Sequence, residues 1–403
     1  MPTPPGNRKL IRAINYSHVL NAIKTYGPIG RAEIARRTGL SPATLTSITA
    51  YLLSTNLVVE KSTGDSRGGR RPILLAINPQ GAYVIGIKLT ESNAVCALTD
   101  LEAAVIAKSS IPLSGHDPND IVNDLAKMTS SLVVTQGIPR KRILGVGIGL
   151  AGIVDAERGI LNQSPIFGWK DIPLGSMLRK KLHVPVFLEN DVNTLTLTEK
   201  WYGHGQGIDH FLTITIGRGV GMGIVVNGQL YRGQVGGAGE FGHTLVNPDG
   251  RPCACGKRGC LETYVSDPGL VHTAQEYHAR GQLSVNVQTV EQLLSLAQAG
   301  NPCALEIFAQ AGQVLGQGIA NLISLFNPQK VFISGEGTRF GVFLFEPMKE
   351  AIQRYTMPGL LRPDTVEIAR WGDDAWARGA AGLVLREVFE SPIHRKLPAL
   401  ANL

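Results

Sequence analysis

Residues 239–262 read GEFGHTLVNPDGRPCACGKRGCLE. Three of the chain's five cysteines, Cys253, Cys255 and Cys260, lie in this stretch, with His243 just upstream. Three thiolates and one imidazole make a standard tetrahedral set for Zn²⁺, and Gly256 and Gly259 allow a short loop to wrap the ion. The alternative is a disulfide or idle buried thiols, and a CxCxxxxC run beside a histidine fits a closed zinc knuckle better. Four protein ligands fill the shell, so the expected Zn²⁺ is structural and leaves no open position for chemistry. Clustered cysteines also suit a reducing, cytoplasmic setting better than a disulfide framework. No apolar run approaches the ~18–20 residues of a membrane span, and the first residues lack an apolar signal core.

Charge divides the chain. Residues 1–80 hold 11 Lys/Arg against 3 Asp/Glu, while the remaining 28 and 29 nearly cancel. A small basic module attached to a neutral body points to a polyphosphate partner, most simply DNA, against the alternative of a solvated surface or an anionic protein. The module's pattern is that of a winged helix-turn-helix, residues 1–80. A helix over Ser17 to Tyr26 precedes a second from Arg31 to Thr38, and Gly39-Leu40 turns the chain. Ser41 caps a third helix, with Pro42 at its first position and Leu45, Ile48, Leu52 and Leu53 at helical spacing. Ser41, Ala43, Thr44, Thr46 and Ser47 are small enough to approach base edges and phosphates. Strands Leu57–Lys61 and Ile73–Ile77 flank a loop carrying Arg67, Arg70 and Arg71. Guanidinium groups on a slim Gly/Pro backbone suit a narrow minor groove, although a basic linker touching only phosphate reads the same way.

Beyond residue 80 strands alternate with helices and end in glycine-rich turns, which defines an α/β architecture. Strands are expected at Ile143–Leu150, Val184–Leu188, Phe211–Ile216 and Lys330–Ser334, and helices at Pro118–Gln136, Val192–Tyr202 and Pro302–Phe326. Four segments carry a family resemblance: GVGIGLAGIVD (145–155), ENDVNTLTLTEKWYG (189–203), TIGRGVGMGIVVNGQLYRG (215–233), and GEFGHTLV with CACGKRGCLE (239–262). In this order they resemble the ROK family of repressors, open reading frames and sugar kinases. The resemblance implies a two-lobed, actin-like ATPase body: a small lobe at 81–195 completed by a C-terminal helix at 375–390, and a large lobe with the zinc knuckle at 196–374. With a winged module in front, the chain resembles the branch of sugar-responsive regulators of xylose, glucose or N-acetylglucosamine genes. It implies partners too: operator DNA, a monosaccharide effector, a second copy in a homodimer or homotetramer, and no membrane.

The resemblance carries a sugar pocket over to Gly152, Asn190, Asp191, Glu240, His243 and Glu262, His243 serving the metal as well. Taken alone, Asn190-Asp191 before a helix is an ordinary cap, and Glu240 and Glu262 are ordinary surface carboxylates. ROK kinases also carry an early Asp-x-Gly-Gly-Thr phosphate turn. Here that stretch is Lys88-Leu89-Thr90-Glu91-Ser92, with a lysine for the aspartate and Thr90 and Glu91 for the glycines. Added Cβ atoms and a carboxylate oppose phosphate there. A second glycine-rich stretch, Gly217 to Gly223, contains Arg218 and Met222, and Glu336 separates Gly335 from Gly337. Asp191 is therefore read as binding sugar without catalysis. Two competing readings are a sugar kinase with an attached DNA-binding arm, and a non-sensing DNA-binding protein controlled by a protein partner.

Overall fold

The computed structural model describes residues 8–61, 73–369, 371 and 374–389. The chain divides into two compact units, 1–194 with 376–403, and 195–375.

The first unit begins with helix α1 (Arg8–Tyr26), strand β1 (Ile29–Gly30), and helices α2 (Arg31–Thr38) and α3 (Pro42–Ser54). Gly39 sits between α2 and α3 at φ 68°, the left-handed conformation that ends a helix without a Cβ penalty. Ser41 starts α3, its Oγ accepting the Thr44 N–H at 3.2 Å. Val19, Ile23, Ile34, Leu45, Ile48 and Leu52 are all buried, so the three helices close on one core. Strands β2 (Val58–Lys61) and β3 (Leu74–Ile77) join β1 in an antiparallel sheet ordered β1-β3-β2. Sequence patterning misses β1, because two residues carry no period, and it starts α1 nine residues late. The expected Arg67, Arg70 and Arg71 contacts lie outside the described residues.

The Pro79–Gly81 turn joins this module to the rest of the unit. Asn78 Nδ2 donates to the Asn56 carbonyl at the end of α3 (2.9 Å), and Leu101 N–H donates to the Pro79 carbonyl (3.1 Å). Next come β4 (Tyr83–Leu89), β5 (Asn93–Thr99), β6 (Val105–Pro112), α4 (Pro118–Thr135) and β7 (Ile143–Leu150). A small antiparallel sheet comes after β7, made of β8 (Ile153–Asp155), β9 (Ile160–Ser164) and β10 (Trp169–Ile172), then α5 (Leu174–Leu182), β11 (Val186–Asn190) and α6, which starts at Asp191. The main sheet is ordered β11-β7-β4-β5-β6, with β4, β7 and β11 parallel. Every residue of β7 is buried, as a parallel strand covered on both faces requires, whereas β6 alternates half-buried and exposed positions. The C-terminal helix α12 (Asp374–Phe389) lies on this sheet where Gly86 and Gly147 leave room. A Cβ on Gly147 would stand 2.7 Å from the Ala380 carbonyl carbon, and one on Gly86 2.7 Å from the Ala381 nitrogen.

α6 (Asp191–Tyr202) runs on into the second unit, whose sheet is ordered β14-β13-β12-β15-β16. Its strands are β12 (Phe211–Ile216), β13 (Val220–Val226), β14 (Gln229–Leu230), β15 (Lys330–Ser334) and β16 (Val366–Ile368). Helices α7 (Glu262–Val265), α8 (Asp267–Ala279), α9 (Val290–Gln298), α10 (Pro302–Phe326) and α11 (Val342–Tyr355) complete it. Ile214, Leu315, Ile319 and Met348, all fully buried or nearly so, belong to its core. Among the described residues, no helix is long and apolar enough to cross a membrane.

Candidate functional site

The knuckle is built by a chain reversal. Leu245 and Cys260 form an antiparallel bridge, as do Pro252 and Arg258, and Gly259 (φ 68°) turns at its base. The reversal gathers one ligand atom from each of His243, Cys253, Cys255 and Cys260 within 4.8 Å of one another. Cys255 Sγ lies 3.6 Å from Cys260 Sγ, and Cys253 Sγ lies 3.5 Å from His243 Nδ1. A tetrahedral zinc shell has S···S edges of about 3.8 Å and S···N edges of about 3.6 Å, so the donor set fits that ion. Burial and the neighbouring thiols push Cys260 up to about 12. Three sulfurs this close ionise together only around a cation. Arg251 braces the loop, donating to Glu276 through Nε (3.1 Å) and Nη2 (2.8 Å) and to the Thr263 carbonyl (3.0 Å). Nothing in the local sequence signals that brace, because Glu276 lies 25 residues away.

With Nδ1 facing the thiol, His243 Nε2 faces Glu240, 3.9 Å from its Oε2. A metal on Nδ1 leaves Nε2–H as a donor toward that carboxylate. Glu262 opens α7, and its Oε2 accepts the Val220 N–H at 2.9 Å. One expected sugar ligand therefore also holds the glycine-rich turn. That turn is tighter than the sequence suggests: Gly217 N–H donates to the Gly219 carbonyl (3.0 Å), and Val220 already begins β13. Gly221 and Gly223 thus sit in a strand. The Cβ position of Gly223 is 2.8 Å from Thr196 Cβ, so helix packing rather than a phosphate accounts for this glycine.

In the first unit, Asn190 ends β11 and Asp191 starts α6. Asn190 Oδ1 accepts the N–H groups of Val192 (2.9 Å) and Asn193 (3.2 Å), and its Nδ2 donates to the Gly152 carbonyl (3.1 Å). The ordinary capping role is therefore real, and the amide also ties down the turn after β7. Glu189, 1% exposed, anchors the junction from beneath: its Oε1 accepts Asn193 Nδ2–H (3.0 Å) and Asn190 N–H (3.1 Å). Gly152 (φ 135°) is needed for a reason the sequence does not reveal. Its missing Cβ would meet the β9 backbone at the Gln163 carbonyl and would lie 3.1 Å from Ser164 Cβ.

At the stretch matching the kinase phosphate turn, Lys88 directs its Nζ to 4.1 Å from the centre of the Trp376 ring on α12. Thr90 closes the β4–β5 hairpin, its Oγ1 accepting Asn93 N–H (3.2 Å) and donating to the Asn93 carbonyl (2.9 Å). Lys88 and Asn190 lie at the same carboxyl-end edge of the sheet, Lys88 paired with Gly149 and Asn190 with Leu150. On α3, Ala43, Thr46 and Ser47 are exposed. Thr46 Oγ1 donates to the Pro42 carbonyl (2.8 Å), so its hydroxyl is turned back on the helix.

The chain belongs to the ROK family, whose model matches residues 84–387. It is 30% identical to the xylose repressor of Caldicellulosiruptor bescii, over 96% of this chain and 99% of the relative. It is 29% identical to the DNA-binding transcriptional dual regulator NagC of Escherichia coli K12, over 94% of each chain. Among solved structures, a ROK family transcriptional regulator homologous to E. coli MLC matches at TM-score 0.85 and 28% identity, covering 95% of this chain and 98% of that one. A ROK family glucokinase from Streptomyces griseus, solved with glucose and AMPPNP, matches at TM-score 0.64 and 29% identity. It is covered over 99% of its length and spans 75% of this chain.

Proposed function

We propose that the protein is a transcriptional regulator that binds operator DNA and responds to a monosaccharide, most simply a repressor released by its sugar. The observation that carries this reading is the end-to-end likeness to sugar-gene repressors, module included, where the kinase likeness stops at three quarters of the chain. The module serves as a winged helix-turn-helix: the exposed N-terminal residues of α3 enter the major groove, and the Arg67–Arg71 loop reaches the minor groove or its phosphates. A structural Zn²⁺ held by His243, Cys253, Cys255 and Cys260 sets the direction of Glu240 and Glu262. Asn190, Asp191, Glu240 and Glu262 read the sugar's hydroxyls, each of which both donates and accepts.

Phosphoryl transfer is not part of this function. Lys88 stacks on Trp376 where the kinases place an aspartate. Helix α12 supplies a route from sugar to DNA. Trp376 meets Lys88 at one end, and Phe389 lies 4.3 Å from Lys24 Nζ of α1 at the other. Thirteen helical residues separate them by about 20 Å. A sugar that moves the carboxyl-end edge of the sheet thereby bears on the first helix of the module, in proportion to its preference for one arrangement. An ATP-turnover assay against pentoses, hexoses and amino sugars tests the non-catalytic part. No turnover is expected, and phosphorylation abolished by Asp191→Asn would overturn it.

A further inference from the structure

Helix α3, PATLTSITAYLLS, contains no Lys, Arg, His, Asp, Glu, Asn or Gln. Bidentate recognition of guanine takes an Arg or Lys, and that of adenine takes an Asn or Gln, so the commonest base contacts are closed to this helix. Its exposed positions Ala43, Thr46, Ser47, Ala50 and Ser54 share one face. Leu45, Ile48, Thr49 and Leu52 are buried on the other.

The hydroxyls on α3 are mostly engaged locally. Thr46 Oγ1 donates to the Pro42 carbonyl (2.8 Å), Ser54 Oγ donates to the Tyr51 carbonyl (2.8 Å), and Thr44 and Ser41 share a bond between their hydroxyls (2.9 Å). Back-bonding of this kind leaves Thr46 its Cγ2 methyl to offer, with the methyls of Ala43 and Ala50 one turn to either side. Ser47 adds one hydroxyl. The arginines of α2 are paired as well: Glu33 accepts from Arg36 Nε (2.7 Å) and Arg37 Nε (2.7 Å), and Arg31 Nη2 donates to Glu60 (3.1 Å). Exposed pairs such as those on Glu33 are weak, so Arg36 and Arg37 can exchange a carboxylate for phosphate where the helix before the groove helix crosses the backbone.

We propose, building on the major-groove placement of α3 proposed above, that this helix selects its half-sites by the C5-methyl groups of thymine, with Thr46 Cγ2 as the central contact and Ala43 and Ala50 flanking it. Thymine alone carries a methyl in the major groove. Packing it on Thr46 removes apolar surface from water, whereas cytosine would turn an N4–H donor toward a helix that has no carboxylate or amide to accept it. Affinity then comes from the basic module's contacts to phosphate, and base choice from methyl on methyl.

The test uses the full chain. Duplexes are enriched from a randomised pool, and the tightest is resynthesised with 2′-deoxyuridine at one thymine at a time, which removes only the methyl. Affinity is read by fluorescence anisotropy at fixed salt. Each contacted thymine should lose about fourfold in affinity as uracil, and 5-methylcytosine paired with guanine should bind better than plain cytosine at the same place. Thr46→Ser deletes Cγ2 and keeps the hydroxyl, and an unchanged melting temperature establishes that it folds. It should erase the uracil penalty at one position of each half-site and leave the other penalties intact. That cancellation separates a direct contact from altered DNA stiffness, which a change on the helix does not offset. Uracil duplexes bound as tightly as thymine ones would overturn the proposal while leaving DNA binding standing, and so would uracil penalties unmoved by Thr46→Ser. A chain that enriches no duplex would overturn the DNA-binding reading and this proposal with it.

Discussion

Replacing Gly147 with alanine tests how α12 is held. The new Cβ would stand 2.7 Å from the Ala380 carbonyl carbon, closer still to its oxygen, and 3.4 Å from Leu383 Cβ. Ordinary carbon contacts begin near ~3.5 Å, so α12 must retreat by nearly ~1 Å or the strand must deform. Overpacking of this kind costs roughly 1–3 kcal/mol, and the upper end applies because the obstacle is helix backbone, which has no rotamer to change. Gly86→Ala meets the same helix at Ala381 N, 2.7 Å away, and should behave alike. Gly115→Ala is the control, with nothing within 4 Å of its Cβ, and should change stability by less than about 0.5 kcal/mol. Urea unfolding combined with hydrogen exchange reads the result, because two units need not unfold together. Protection should fall in peptides from β7 and α12 and stay unchanged in α10. If Gly147→Ala proves as mild as Gly115→Ala, α12 is not seated through these glycines, and the route from Lys88 to Lys24 loses its support.

The knuckle carries two further expected outcomes. Cys260→Ser, or a strong chelator, should abolish one equivalent of zinc measured by atomic emission and loosen residues 243–262 in hydrogen exchange, while α1–α3 keep their protection. Acid should weaken the same region, because hydrogen bonds from Arg251 hold Glu276 below its ordinary carboxylate value of 4.5. A depressed folded value means stabilisation complete above 4.5 and lost as pH falls through the depressed one. Glu276→Gln should remove that part of the acid dependence, read as melting temperature against pH.

Legibility tracks sequence distance. The metal ligands fall in one short loop and announce themselves by spacing. The α2–Gly39–Ser41–α3 sequence is local too, each signal lying within a turn of what it controls. β7, β12 and β15 stand out as apolar runs, and their order in the sheets does not. Interactions that span the chain leave no such trace. Gly86 and Gly147 look like weak points in two strands until α12, over 200 residues later, fills them. Lys88 looks only like a missing aspartate, and its partner Trp376 has no local mark. Gly152 and Gly223 suggest ligands in sequence and prove to be shaped by Gln163 and Thr196. The β8–β10 sheet has no sequence signature, because three strands of three to five residues carry too little period to stand out.

Sugar affinity measured twice by calorimetry, on the free protein and on the protein saturated with operator duplex, addresses the central claim most directly. Linkage requires that a sugar which releases DNA bind the free form more tightly, by the same factor with which it weakens the operator complex. The account predicts that difference for at least one monosaccharide, with Asp191→Asn and Glu262→Gln removing the sugar heat. Equal affinity for the two forms, or no sugar heat from either, would contradict it.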